Sequence, residues 1–117
     1  MDPDACLEEL RELVAAILSH DGVAYPQDAA DRLRELWAAL DEWLERGGFL
    51  PTGWAKTGTG AAQYNPTVDV IVRGMVYLRS RHCTDLPYAL GRVAQAIESL
   101  DDGLSHGAQI PVRWTHG

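Results

Sequence analysis

The chain has 117 residues, 46% hydrophobic and 23% charged, with two cysteines and a formal net charge of −7, which fits a single globular domain of modest core. The charge is uneven: residues 1–50 carry 12 acidic and 4 basic side chains, residues 51–117 carry 5 and 6, so the acidic half disfavours nucleic acid, whose phosphates are met by Lys and Arg displacing counterions. No apolar run approaches the roughly 18 residues of a membrane span, and an acidic N-terminus without an apolar core segment is not a secretory signal; the expected location is the cytoplasm, with no membrane partner.

Asp2-Pro3-Asp4 opens a first helix, with Asp2 as cap for free amide hydrogens and Pro3 in the first helical position. Leu7, Leu10, Val14 and Ile17 then step by three, four and three, one face of a 3.6-residue helix. Ser19 to Gly22 ends it. A second helix begins near Tyr25-Pro26 and carries the stripe Leu33, Leu36 or Trp37, Leu40 and Leu44, and the short link makes an antiparallel αα-hairpin. Gly47 suits the left-handed position that closes such a helix. Pro51 forbids continuation, and the chain returns through Phe49-Leu50 to Trp54. Residues 55–66 have the composition of a linker.

Residues 67–81 allow two readings. Their β-branched alternation permits an α+β fold with a β-hairpin at 67–80. Yet Val68, Ile71, Met75 and Leu78 repeat the three-four-three spacing of the first helix, displaced by sixty-one. This favours a third helix capped by Thr67, with Gly74 costing about 1 kcal/mol inside it. A fourth helix starts at Asp85-Leu86-Pro87 with Leu86, Leu90, Val93, Ile97 and Leu100 as its stripe; Gly103 is expected to fray its end.

At a displacement of sixty, Leu40, Asp41, Leu44, Gly47, Pro51 and Trp54 recur as Leu100, Asp101, Leu104, Gly107, Pro111 and Trp114. The pattern predicts one all-α domain over 1–117. Two units, 2–54 and 63–114, joined by linker 55–66, pack as a pseudo-two-fold four-helix bundle of two tandem αα-hairpins.

On Asp2-Pro3 with Leu7, Leu10 and Arg11, then Leu40-Asp41-Glu42-Trp43-Leu44, Gly47-Gly48, Leu50-Pro51 and Trp54, the first unit resembles short uncharacterised proteins of actinobacteria and their phages. The resemblance covers residues 2–54 and implies no activity. If related chains have one unit, they are expected to pair as dimers, so a homodimer is an assembly to consider here.

Sequences that would carry chemistry are incomplete. Lys56-Thr57-Gly58 matches a Lys-Thr-Gly box, but residue 53 is Gly53 and Lys56 is the sole lysine, so the Ser-x-x-Lys nucleophile motif such a site needs is missing. No Gly-Lys-Ser/Thr opens a helix to cradle phosphate. His20, His82, His106 and His116 are isolated, and Cys6 and Cys83 make no metal knuckle. The pairs Asp41/Glu42 and Asp101/Asp102 read as solvated helix carboxylates rather than a general acid and base. Arg73, Arg79 and Arg81, with Tyr77, form a candidate cationic ridge whose simplest partner is the acidic first unit.

No cofactor, metal or catalytic residue is therefore expected. The leading expectation is a small non-enzymatic accessory protein, encoded by a phage or prophage, acting through contact with a protein partner whose identity the sequence leaves open. Trp54, Trp114, Phe49 and Arg113 are the candidate contacts, because tryptophan and arginine often anchor interfaces. Two alternatives are an acidic decoy for a nucleic-acid-binding protein and a small enzyme with a site under loop 55–66.

Overall fold

The structure is a computed structural model and describes residues 2–19, 25–48, 50–54, 58–63, 66–80, 83–106, 109–111 and 114. Its first helix, α1 (Pro3–Leu18), starts where the sequence places it: the Asp2 carboxylate accepts the amide hydrogens of Asp4 and Ala5 at 3.0 and 3.2 Å. Leu7, Leu10, Val14 and Ile17 are buried. In α2 (Pro26–Glu45) the apolar stripe is wider than a single row, and Leu36 and Trp37 are both buried along with Leu33, Leu40 and Leu44. The helix ends in a Schellman turn. Gly47 takes φ 91°, its N–H reaches the Leu44 carbonyl at 3.1 Å, and the Gly48 N–H reaches that of Trp43 at 2.9 Å. A one-turn 3-10 helix, Thr52–Trp54, follows. Asp4 holds it against the start of α1 by accepting from the Thr52 hydroxyl at 2.9 Å and from the Thr52 amide.

The β-hairpin alternative at 67–80 does not occur: α3 (Pro66–Arg79) is helical and buries Val68, Ile71, Met75 and Leu78. It begins one residue before Thr67, the expected cap, because Pro66 is already set at the helical φ of a first position. Gly74 has a packing reason. A Cβ there would stand 2.4 Å from Val93 Cγ2, so the helix forgoes the alanine side chain to let α3 and α4 (Leu86–Ser105) approach. Asp85 caps α4 by accepting the Tyr88 amide at 3.2 Å. Nor does α4 fray at Gly103; it runs to Ser105 and has the same 20 residues as α2. Leu104, buried beyond Gly103, holds the last turn in the core.

The four helices form an up-down-up-down bundle of two αα-hairpins with pseudo-two-fold symmetry, α1 against α2, α3 against α4, and α1 closing on α4. Ala29, Leu33, Trp37, Leu40 and Leu44 of α2 are buried, and so are Ala89, Val93, Ile97, Leu100 and Leu104, sixty residues on in α4. The symmetry is imperfect. Arg34 and Trp37 stand where α4 has Ala94 and Ile97, and α2 lies farther from α3 than α1 does from α4.

The linker expected at 55–66 is not irregular throughout. Gly58–Gln63 form a strand, β1, that pairs in parallel with β2 (Gln109–Pro111), with Gly58 opposite Gln109 and Gln63 opposite Pro111. The pairing gives backbone groups of an otherwise open connection their hydrogen bonds. The rest of the linker, residues 55–57, 64 and 65, lies outside the described residues. Among the described residues no helix is long and apolar enough to cross a membrane.

Candidate functional site

Two features of the bundle stand out, a polar cluster around buried indoles and a groove open to solvent. The closed one sits at the end where the two returns meet. Trp54 and Trp114, expected as partner contacts, are 1% and 3% exposed. Their indoles stack with centroids 5.7 Å apart, and Trp37 packs against Trp114 at 5.9 Å. Each indole N–H crosses to the other hairpin: Trp54 Nε1 donates to Asp101 and Trp114 Nε1 to Asp41, both at 2.7 Å. The two bonds are related by the sixty-residue displacement, so the contact is reciprocal in the sense of a two-fold interface.

These bonds correct the reading of Asp41 and Asp101 as solvated. Asp41 is 8% exposed, while its neighbour Glu42 and the equivalent Asp102 remain on the surface. The buried Asp41 and the half-buried Asp101 are each met by a donor arriving from the opposite hairpin, which neither helix alone reveals. Asp101 is further held by Arg11, whose Nε and Nη2 bind its two oxygens at 2.8 and 2.7 Å, and by Ser105. Burial alone works to raise the Asp101 carboxyl, but hydrogen bonds from Arg11 and Trp54, the Arg11 charge and the Ser105 hydroxyl outweigh it. They hold the carboxyl below its ordinary value. Arg11 in turn lies across Gly53, where a Cβ would come within 2.8 Å of its Nη2. The two indoles and Asp41 are buried in this cluster, whereas Arg11 is partly exposed and with Asp101 lines a surface pocket between α1 and α4. Phe49 and Arg113 lie outside the described residues, as do Lys56, Arg81, His20, His82 and His116.

Other reactive groups are placed conservatively. The Cys6 and Cys83 thiols are free and half-buried. Burial and the nearby Glu9 push the Cys6 thiol up, against the smaller opposing effect of Arg32, and its sulfur contacts the Leu36 carbonyl at 3.4 Å; that is the environment of an unreactive thiol. His106 is exposed, with Nδ1 2.7 Å from the Asp102 carbonyl oxygen. Among the described residues no three His, Cys, Asp or Glu side chains converge as metal ligands.

The open feature is a groove of about 330 Å³ on the outer face of the second hairpin, between α3 and α4. Gly74, Ala89 and Val93 form its floor, and Val70, Tyr77 and Tyr88 its walls. Those wall residues are large, apolar or aromatic, and 53%, 42% and 63% exposed. Arg92 lies over the Tyr88 ring, 6.0 Å from its centroid, and donates to the Tyr88 hydroxyl at 3.3 Å. Arg73 is exposed one helical turn from Val70 and Tyr77. Among the described residues neither Arg73 nor Arg92 has a carboxylate partner. The expected ridge of arginines thus divides: Arg73 is exposed on α3 one turn from two wall residues but does not itself line the groove, whereas Arg79 lines a separate cleft with Arg34 and Trp37.

The first hairpin shows what the same place looks like when it is closed. Glu9, Leu13, Asp28 and Arg32 occupy the positions of Val70, Gly74, Tyr88 and Arg92. There Leu13, half-buried against the core, stands at the position of Gly74, and Arg32 is ion-paired with both Glu9 and Glu35. Sequence reasoning passed over Val70 and Tyr88, although displacements of sixty-one between α1 and α3 and of sixty between α2 and α4 set them opposite Glu9 and Asp28. No protein-family model, curated protein or solved structure matches the chain.

Proposed function

We propose that this is a small non-enzymatic accessory protein that acts through protein–protein contact, and that the α3–α4 groove is its contact surface. The observation that carries the reading is the difference between the two hairpins at equivalent places. Where the first closes its outer face with Leu13 and a Glu9–Arg32 ion pair, the second opens a groove walled by exposed Val70, Tyr77 and Tyr88. Aromatic and arginine side chains around an apolar floor are the composition of interface hot spots. The sixty-residue correspondence supports descent from a duplicated hairpin in which one copy kept a solvated face and the other acquired a binding face. A phage or prophage origin is part of this proposal and rests on the resemblance of residues 2–54 to short uncharacterised proteins of actinobacteria and their phages.

A photo-crosslinking amino acid placed at position 88, and as control at position 28, tests this inside cells. A discrete adduct is expected from position 88 alone, lost when Val70→Glu is added. The mass of the adduct separates a second copy of the chain from a different protein. Equal adducts from both positions, or none from position 88, would contradict the proposal.

A further inference from the structure

Resting on the reading of the α3–α4 groove as a docking surface, we infer that its occupant is an acidic amphipathic helix, with an apolar stripe on Val70, Tyr77 and Tyr88 and carboxylates that reach Arg73 and Arg92. A trough between two antiparallel helices receives a third helix along its length, which buries apolar anchors at successive turns. The floor of Gly74, Ala89 and Val93 offers no hydrogen-bonding side chain, so the occupant's central contacts are aliphatic. The charge of its flanks follows from the arginines.

The fold itself contains the template. In the first hairpin Arg32 accepts a glutamate, Glu9, presented from the facing helix. Arg92 is the same residue type at the equivalent place, and the residue facing it is Val70. The second hairpin therefore retains the cation and has lost its internal anion. Arg92 uses one Nη1 hydrogen on the Tyr88 hydroxyl, and a guanidinium carries five N–H donors in all, so donors remain for a carboxylate to accept. Asp85, the one acidic residue lining the groove among the described residues, caps α4 through the Tyr88 amide. The bundle is 24 × 23 Å in cross-section, so screening with a length of about 8 Å at physiological salt weakens repulsion from the acidic first hairpin at this site.

The test uses the full chain and two fluorescent helical peptides of about 18 residues, five turns, sharing one leucine stripe and flanked either by glutamates or by lysines. Anisotropy measures affinity, and amide chemical shifts at Gly74 and Ala89 report whether binding is in the groove. The glutamate peptide is expected to bind saturably there, at least about tenfold tighter than the lysine peptide, with affinity falling as salt rises. Val70→Glu, which supplies the internal anion of the first hairpin, and Arg92→Gln are each expected to weaken it about tenfold. Both sites are exposed, and unchanged helical circular dichroism confirms that the variants fold. Equal or tighter binding of the lysine peptide in the groove would overturn the acidic identity of the occupant while leaving the docking surface standing. Absence of shifts at Gly74 and Ala89 with both peptides would overturn the inference together with the reading it rests on.

Discussion

Trp54→Ala and Trp114→Ala are each expected to destabilise the protein by about 3–5 kcal/mol, the usual cost of removing a buried tryptophan. Against a total of about 5–15 kcal/mol for a domain this is enough to leave either variant marginally folded. Three losses coincide at each site. The indole's buried area goes, as does its stacking on the other indole at 5.7 Å, and the carboxylate it met at 2.7 Å is left without that donor. Urea denaturation followed by circular dichroism measures the effect, with Tyr25→Ala, at a site 73% exposed, as a control expected to stay within about 0.5 kcal/mol. Near wild-type stability in the tryptophan variants would mean that these side chains serve a partner rather than the bundle.

The second large effect belongs to Asp101. Replacement by alanine strands the Trp54 N–H in a buried site, at a cost of about 1–3 kcal/mol. Arg11, 43% exposed, is rehydrated by water and adds little. The same group makes stability depend on pH in a definite direction. Its carboxyl is held below the ordinary value in the folded state, so the folded state favours the ionised form. The contribution is complete above the unfolded-state value of about 3.9 and is lost as the pH falls through the lower folded value. Wild-type stability is therefore expected to drop more steeply than that of Asp101→Asn as pH falls below about 4. Parallel pH profiles for wild type and Asp101→Asn would show that the carboxyl is not held by Arg11 and Trp54.

Much of this fold is written in local signals. Asp2 and Pro3 announce α1, Gly47 marks the end of α2, and the three-four-three spacing of Val68, Ile71, Met75 and Leu78 identifies α3 despite its β-branched residues. What escapes local reading depends on partners far along the chain. Asp41 and Asp101 sit beside surface carboxylates in sequence, and their donors lie 73 and 47 residues away on the opposite hairpin. β1 escapes for the same reason. A Gly-Thr-Gly-Ala-Ala-Gln run has little strand propensity, and its partner at 109–111 is brought beside it by the second hairpin. The candidate site was legible only in part. Arg73 and Tyr77 drew attention as a cationic and aromatic pair, but Val70 and Tyr88 matter through what they replace. That becomes visible when the bundle shows which face of each hairpin carries Glu9 and Arg32.

The crossed pairing of tryptophans and aspartates is the centre of the structure, and the indole N–H resonances report on it directly. Asp41→Asn and Asp101→Asn retain side-chain shape while removing the charge that strengthens each bond. With wild type as reference, Asp101→Asn is expected to shift the Trp54 indole proton and speed its exchange with solvent while leaving Trp114 protected. Asp41→Asn is expected to do the reverse. Loss of protection within the same hairpin, Trp54 responding to Asp41→Asn and Trp114 to Asp101→Asn, would contradict the reciprocal closure of the bundle.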